Sequence, residues 1–539
     1  MNFRSIINAA ARLWTASMVL FCVSCSEEMH LQQDAGKDRN EAASITLKIA
    51  VAHPDAGLAT RAQTTYDDLT FTQDEAAVKN LVTFIVNVDD EGKELYGYDD
   101  VEYIVTEINP VEFYKGIYIL EHKLEVKPGN KHIYIGANMK DEHMNAFILD
   151  RPLALEGEGP AVNMIMTPDP TYSGKGTDIL MFGQIKKAEG NSTTPDIIID
   201  ENIKEYYLQG DLERLTAKVL LTCREGETGL VATGGKGWLK TSDVRYTLNA
   251  TNRKTFVNKH TDENYDVNLD PNWGLKDWVT KDGNGNYTIN GTHLNEFEYW
   301  SADDMMLRFS DIRYYSNALK YDSNRLKGNS GIPDNHYVEG IYCLENTGYN
   351  DMGLTDADID NAARIATTHV VVAVRWFPRS FVGGGSDNTA ITTYDSIFDT
   401  YFVPGEDRGS GSHSPGTYWT RVVNGQTLYY AWTGVKRKIN ETKDSANPLK
   451  LEDFTCYEGG WSYFTTFVDG NLNGNKLTYA GEESWGVQRD NYYILAIQSI
   501  TQPGSPFPDN TDYIKVNSIT TDWIYRGSQE VSISPTGGK

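Results

Sequence analysis

The sequence has 539 residues, of which 40% are hydrophobic and 23% are charged. These proportions are too apolar for a disordered chain, and the length suits about two to four domains. Acidic residues outnumber basic ones by 75 to 49, which gives a formal net charge of −26. A field of that sign repels phosphate backbones, so the composition argues against a nucleic-acid partner.

Residues 1–24 have the pattern of an export signal, with a positive start followed by an apolar stretch over 13–23. This stretch is well short of the roughly 20 residues that a membrane-spanning helix needs. The residues around Cys25 resemble a lipobox, which predicts that Cys25 carries a lipid and becomes the new N-terminus. The alternative is an ordinary signal peptide that contains a cysteine by chance. Glu27 and Glu28 resemble the surface-export tag of bacterial lipoproteins.

The first strand is predicted from a strict alternation of apolar side chains with Thr46, Lys48 and Ala50, which is typical of a strand with one buried face. The apolar members are Ile45, Leu47, Ile49 and Val51.

Four further strands are expected in the first part of the chain, and residues 45–225 are predicted to form one antiparallel β-sandwich. The turn-forming residues Pro128-Gly129-Asn130 predict a hairpin between the second and third of these strands. The four strands span residues 81–88, 118–126, 132–137 and 215–223.

The second part of the chain is also predicted to be β-structure. Residues 226–365 are rich in Asn, Asp, Gly and Tyr, which indicates long loops between short strands. We expect no helix beyond short turns such as 357–366, so the sequence predicts two β-domains. Further strands are expected at 369–377, 427–433, 461–468 and 492–500.

Signals for catalysis, cofactors or metals are weak, and the sequence predicts none of the three. No nucleophile elbow, zinc-protease helix, Walker loop or dinucleotide fingerprint is present. Several clusters have simpler explanations than a binding site. Residues 234–237 form a glycine-rich turn that resembles a P-loop only superficially, because no Ser or Thr follows the lysine. Residues 282–286 start like a calcium loop but are better explained as a glycine-rich hairpin turn, and Asp356, Asp358 and Asp360 are better explained as an exposed acidic turn. His122 and His132 flank the expected hairpin and are candidate neighbours, and the cysteines Cys223, Cys343 and Cys456 have no zinc-site spacing.

The C-terminal tail is strand-like and follows a Pro/Gly-rich linker at 502–510. Trp523 and Tyr525 share one face of the predicted strand, as do Val531 and Ile533. A terminal strand of this kind either closes its own sheet or is available to the sheet of another molecule.

The chain resembles the fimbrillins of type V pili, and within them the shaft subunit of the short fimbria of Bacteroidetes-type bacteria. The resemblance covers both ends well and the middle poorly. It depends on the lipobox, ITLKIAV followed by ATRAQ, ERLTAKV at 213–219, GVQRDNYYILAIQSITQPGSP at 486–506, and DWIYRGSQEVSI.

The resemblance implies two transthyretin-like β-sandwich domains with a C-terminal donor-strand extension. It implies a lipoprotein that a trypsin-like surface protease cuts between Arg61 and Ala62; Arg39 is a worse candidate, because a cut there would leave the first strand attached. The implied division is a signal peptide (1–24), a lipidated propeptide with a displaceable first strand (25–61), two sandwiches (62–225 and 226–512) and a donor strand (513–539).

The implied function is a head-to-tail polymer with other pilus subunits, tethered to the outer membrane until cleavage and then part of an extracellular fimbrium that supports adhesion. In that mechanism Ile45, Leu47, Ile49 and Val51 leave, and Trp523, Tyr525, Val531 and Ile533 belong to the replacing strand. Two alternatives stay open. One is a pilus tip or anchor subunit, and the other is a glycan-binding surface lipoprotein that uses Trp273, Trp278 and Trp300.

Overall fold

The computed structural model describes residues 42–52, 78–108, 117–154, 179–189, 192–226, 230–260, 271, 279–281, 287–289, 297–310, 315–321, 340–346, 367–382, 413–468, 477–479, 482–484, 487–508 and 517–522. Regular structure in these residues is mostly strand, which confirms the all-β class. None of the helices in this part of the chain is both long and apolar enough to cross a membrane.

The first half of the chain builds a large sheet. The strands of this half are β1 (Ala43–Ala52), β2 (Asn80–Asn87), β3 (Val101–Glu107), β4 (Ile117–Val126), β5 (Gly129–Ala137), β6 (Leu153–Ala154), β7 (Met181–Glu189), β8 (Ser192–Thr194), β9 (Ile197–Ile199), β10 (Glu205–Asp211) and β11 (Glu213–Arg214). All of them except β6 belong to the large sheet. Helix α1 (Asp141–Ile148) follows β5.

The strand order in this sheet is β3-β2-β5-β7-β10-β1-β4, with β9 beside β5 and both β8 and β11 beside β7. Thr83 of β2 and His122 of β4 are nevertheless joined by a buried hydrogen bond of 3.1 Å. Because these strands are far apart in the order, the sheet curls until β4 faces β2 across the core. A single cluster of buried apolar side chains fills the space between them.

The predicted hairpin between β4 and β5 is wrong. β4 pairs with β1, whereas β5 lies between β2 and β7. The turn residues do reverse the chain, with Gly129 at φ 127°, but they carry it from one face of the core to the other. His122 and His132 are therefore not partners: His122 contacts Thr83, and His132 contacts Glu94 and Asp196.

The second half has shorter strands. They are β12 (Thr216–Cys223), β13 (Gly237–Trp238), β14 (Val244–Asn249), β15 (Thr251–Asn252), β16 (Lys254–Thr255), β17 (Val279–Lys281), β18 (Tyr287–Ile289), β19 (Phe297–Glu298), β20 (Ser316–Asn317), β21 (Leu319–Lys320), β22 (Ile341–Leu344), β23 (His369–Arg375), β24 (Phe377–Pro378), β25 (Tyr418–Val423), β26 (Gln426–Tyr430), β27 (Thr455–Tyr457), β28 (Trp461–Phe467), β29 (Leu477–Tyr479), β30 (Glu482–Ser484), β31 (Asn491–Ile497) and β32 (Asn517–Asp522).

Two sheets of this half share a second core. One has the order β21-β12-β31-β32 with β22 beside β12, and the other has the order β20-β14-β23-β28. Val219 and Leu221 of β12 pack in one apolar cluster with Val372 of β23 and Leu495 of β31. Small sheets border these two: β25 lies between β26 and β27, and β13 pairs with β24.

The strand expected at 215–223 forms as β12, but its partners differ from the expectation. The sequence places it in the first sandwich, whereas its hydrogen bonds join it to β22, β21 and β31 of the second half. All eight of its residues are buried. Such a run is typical of any central strand, so the pattern predicts burial without specifying the sheet.

The expectation of no helix beyond short turns is also wrong. Besides α1, the described residues form α2 (Ala302–Ser310) and α3 (Trp432–Thr442), with 3-10 turns at Thr241–Asp243, Leu451–Asp453 and Glu458–Gly460. Trp432, Val435 and Ile439 of α3 pack against one small cluster. Their spacing of three and four residues is typical of a helix with one buried face, so the sequence does carry a signal for α3.

Two of the segments that carry the fimbrillin resemblance meet in the structure. Arg214, from 213–219, donates hydrogen bonds to the Asp490 carboxylate through its backbone N–H (3.2 Å) and its guanidinium (3.4 Å). The Asp490 backbone N–H in turn donates to the Thr216 carbonyl at 2.9 Å. The parallel pairing of β12 with β31 continues from this point, Lys218 opposite Tyr492.

Candidate functional site

The first strand forms as its alternation predicts. Ile45 is 2% exposed, and Leu47, Ile49 and Val51 are 0% exposed. Between them Ser44 is exposed, and Thr46, Lys48 and Ala50 are half-buried. One face of β1 is therefore core and the other is surface.

β1 fills a slot between β4 and β10, which we call the β1 slot. It pairs antiparallel with β4 over its whole length, from Ala43 opposite Val126 to Ala52 opposite Ile117. On its other side it runs parallel to β10, with Thr46 opposite Glu205 and Ala52 opposite Asp211. Among the described strands, β4 has β1 as its only ladder partner.

The buried face of β1 belongs to the core of the first half rather than to a surface cluster. Its apolar side chains join one cluster with residues of β2, β5 and β7. Each such side chain contributes about 1.5–3 kcal/mol when fully buried. Removing β1 would therefore expose a large apolar groove together with two unpaired strand edges.

Polar contacts fasten the outer face of β1 to β10. The Lys48 ammonium lies 3.1 Å from the Glu205 carboxylate and 5.2 Å from the centre of the Tyr207 ring. The Tyr207 hydroxyl donates to the same carboxylate at 2.7 Å. Hydrogen bonds from Tyr207 and Lys48 lower the pKa of Glu205, and the hydrogen bond to Glu205 raises the pKa of Lys48. Because Glu205 is exposed to solvent, this ion pair adds little to stability.

The tail begins inside its own sheet. β32 pairs antiparallel with β31, from Asn491 opposite Asp522 to Ala496 opposite Asn517. β32 is the last strand in the order of that sheet among the described residues. The first part of the predicted donor segment thus closes the sheet of its own chain.

Several predicted residues lie outside the described part of the chain. They are Cys25, Arg61, Ala62, Trp523, Tyr525, Val531 and Ile533, together with Trp273, Trp278, the glycine-rich segment at 282–286 and the acidic turn at 356–360.

Trp300 and the glycine-rich turn at 234–237 both have a structural role in the fold. The Arg308 guanidinium lies 3.2 Å from the centre of the Trp300 ring, so one face of that indole is already covered. Gly234 and Gly235 have φ of 61° and 76°, and the Lys236 N–H donates to the Thr233 carbonyl at 3.2 Å. This is a tight turn whose left-handed backbone requires glycine.

Sequence reasoning missed two groups of side chains. One is the Lys48, Glu205 and Tyr207 contact, which joins segments far apart in sequence. The other brings His413 next to Cys456 and Glu458. A Cys-x-Glu spacing was visible in the sequence, but the histidine comes from a distant segment.

A comparison with protein families identifies the C-terminal region. Residues 455–527 match the family described as "Major fimbrial subunit protein type IV, Fimbrillin, C-terminal". The matched residues include β31, β32 and Asp490. The match places this region of the chain in the fimbrillin family and confirms the resemblance that the sequence indicates. No curated protein sequence matches the chain.

The chain is also similar to solved structures. One is a fimbrillin (FimA) from Porphyromonas gingivalis W83, with 12% identity and a TM-score of 0.38 over 90% of this chain and 99% of that chain. Another is the C-terminally truncated tip fimbrial protein Mfa3 from Porphyromonas gingivalis, with 11% identity and a TM-score of 0.33 over 89% of this chain and 100% of that chain. Similarities of this size do not by themselves assign a function.

Proposed function

We propose that this protein is the shaft subunit of a type V fimbria, secreted as a lipoprotein through Cys25 and polymerised by donor-strand exchange. A trypsin-like surface protease cuts between Arg61 and Ala62, and β1 then leaves with the lipid. The observation that carries the proposal is the position of β1 in the β1 slot, where it is the ladder partner of both β4 and β10.

Cleavage changes the energetics of the first sandwich. Four apolar side chains of β1, each contributing about 1.5–3 kcal/mol when buried, leave the core. The vacated β1 slot offers backbone groups on both sides and apolar pockets at alternate positions. An extended segment of another molecule restores both, which is β-augmentation. Because the slot and the donor are different surfaces of one chain, the contact repeats as an open filament.

The tail supplies the donor. Residues 523–539 follow β32 and outnumber the ten residues of β1. Trp523 and Tyr525, or Val531 and Ile533, have the alternation that the pockets of the β1 slot require. The pairing of β32 with β31 supports this arrangement, since it anchors the root of the donor to its own subunit.

An Arg61→Ala variant tests the cleavage step, and Arg39→Ala is the matched control. We expect Arg61→Ala to remain monomeric and lipid-bound, while Arg39→Ala assembles normally. Electron microscopy and mass spectrometry of surface material provide the measurement, with Ala62 as the expected N-terminus of the polymer. Normal filaments from Arg61→Ala would refute the proposal.

Deleting residues 523–539 tests the donor. This truncation keeps β32 and its pairing with β31, so the subunit should still fold and be secreted. We expect it to be cleaved without forming filaments.

An anchor subunit would instead retain Cys25 at its N-terminus, and a tip subunit would function without the tail. Glycan binding lost on Trp273→Ala or Trp278→Ala would favour the glycan-binding alternative.

A further inference from the structure

A cluster of three different metal-binding side chains lies in the second half, away from the β1 slot. His413, Cys456 and Glu458 each offer one ligand atom, and these three atoms all lie within 4.8 Å of one another. The strand-exchange mechanism uses none of the three residues.

The backbone of the cluster is held in place from several sides. Cys456 lies on β27 opposite Trp419 of β25. The Arg375 side chain donates to the carbonyls of Pro415 at 3.3 Å and Gly459 at 3.0 Å. The segment that carries His413 is thereby tied to the segment that carries Glu458, so the cluster is fixed by secondary structure and hydrogen bonds.

Two of the three side chains are in direct contact. His413 Nδ1 lies 2.6 Å from Glu458 Oε2. The Ser414 backbone N–H donates to the other oxygen, Oε1, of the same carboxylate. The His413 and Glu458 side chains are 27% and 48% exposed, so an ion can enter from solvent.

We propose that His413, Cys456 and Glu458 form a zinc site. Zn²⁺ takes nitrogen, thiolate and carboxylate ligands at about 2.0–2.3 Å in a tetrahedral arrangement, with three protein ligands leaving one position open. Ligand atoms at these bond lengths in a tetrahedron are about 3.3–3.8 Å apart. The three ligand atoms here lie within 4.8 Å of one another, so binding requires small side-chain movements, including a lengthening of the 2.6 Å contact between His413 Nδ1 and Glu458 Oε2.

The mixed donor set selects against other ions. Mg²⁺ and Ca²⁺ prefer oxygen ligands only, whereas thiolate and imidazole together favour zinc. Binding displaces the proton of the Cys456 thiol to solvent, and the His413 ring binds as neutral imidazole. The ion joins His413, which precedes β25, to Cys456 on β27 and Glu458 just after it. Water occupies the fourth coordination position.

Zinc titration of the purified full-length protein, freed of any histidine tag, tests the site. A chromophoric chelator measures affinity, and Co²⁺ replaces Zn²⁺ to report a thiolate-to-metal charge-transfer band. We expect one ion per chain. His413→Ala, Cys456→Ser and Glu458→Gln should each weaken binding at least about tenfold, the loss that follows even from removing a partner of a ligand. Glu452→Gln, an exposed change in the same region, is the matched control and should bind normally.

The Co²⁺ band should disappear in Cys456→Ser, and circular dichroism should show each variant to be folded. Glu458 is exposed enough that its variant should fold in any case. The proposal is overturned if the protein binds no zinc, or if zinc binding and the Co²⁺ band survive in Cys456→Ser. Equal binding by Glu458→Gln and Glu452→Gln would also overturn the three-residue site.

Discussion

Thr83 of β2 and His122 of β4 are joined by a 3.1 Å hydrogen bond that crosses the core between strands that are not neighbours. Thr83 is 0% exposed and His122 is 3% exposed. Leu47 of β1 lies opposite His122 in the ladder. The hydrogen bond therefore joins β4 directly to β2, independently of the ladder through β1.

Replacing Thr83 by valine tests the contribution of this hydrogen bond to stability. The change keeps the shape of the side chain but removes a partner of the buried imidazole. We expect the free energy of unfolding to fall by about 1–3 kcal/mol. Denaturant unfolding gives the value, with Thr427→Val at an exposed position of β26 as the control, expected within about 0.5 kcal/mol of the unmodified protein. A loss at Thr83 no larger than that of the control would contradict this role.

The sequence predicts local features of the fold better than strand partners. The alternation around Leu47 predicts β1 and its buried face, and both are confirmed. The strand at β12 is likewise found where an apolar run predicts it. The sheet to which it belongs is not specified by the sequence, because a strand buried on both faces has the same apolar pattern in either half of the chain. The turn at Gly129 has the same limit, since turn chemistry does not decide whether the flanking strands pair.

The candidate sites differ in how much the sequence reveals. The buried residues of β1 form a short-range pattern that is readable from one segment. The approach of His413 to Cys456 depends on the packing of distant segments, and only the Cys-x-Glu half of the cluster is local. Long-range contacts of this kind leave no spacing that a single sequence shows.

The Leu47→Ala substitution should lower the stability of the uncleaved protein but not that of the mature filament. Leu47 is 0% exposed in the core, so we expect the uncleaved protein to lose about 2–5 kcal/mol of unfolding free energy. If β1 leaves after cleavage, as proposed, filaments assembled from successfully cleaved subunits should have unchanged stability. Ser44→Ala, on the exposed face of β1, serves as the control. A destabilised filament would show that β1 remains in the mature subunit.

The raised pKa of His132 predicts that the free energy of unfolding falls as the pH rises above the ordinary histidine pKa of 6.5. Burial opposes the charged ring, but hydrogen bonds to Glu94 and Asp196 raise the pKa of His132 above 6.5. A raised pKa means that the folded state binds the proton more tightly than the unfolded state. The stabilisation is complete below pH 6.5 and is lost as the pH rises through the raised pKa. His132→Gln should remove this slope from a pH series of unfolding free energies.

His143 should give a slope of the opposite sign. It is buried in α1, and this burial lowers the pKa of His143 below 6.5. Its contribution is present above pH 6.5 and is lost as the pH falls through the lowered pKa. His143→Gln should therefore flatten the acidic side of the same series while leaving the slope due to His132. Identical profiles for the two variants would contradict both assignments.

Arg489 should be among the most sensitive positions in the family-matched region. It is 6% exposed, and it donates to the Glu345 carboxylate at 2.5 Å and to the carbonyls of Phe256 (2.9 Å) and Val257 (3.3 Å). Arg489→Met leaves Glu345, itself 1% exposed, as a buried charge without this guanidinium. We expect a loss of about 3–5 kcal/mol in unfolding free energy, partly recovered in the double variant Arg489→Met/Glu345→Gln.

The matched control for this ion pair is exposed. Lys438 and Glu441 of α3 lie 3.0 Å apart, and both are more than 40% exposed. Breaking that pair with Lys438→Ala should cost at most about 1 kcal/mol, because water solvates both charges. Equal effects of Arg489→Met and Lys438→Ala would show that burial does not set the energetics of Arg489. A double variant no more stable than Arg489→Met would show that the cost lies in the lost carbonyl contacts rather than in the loss of the guanidinium from the Glu345 carboxylate.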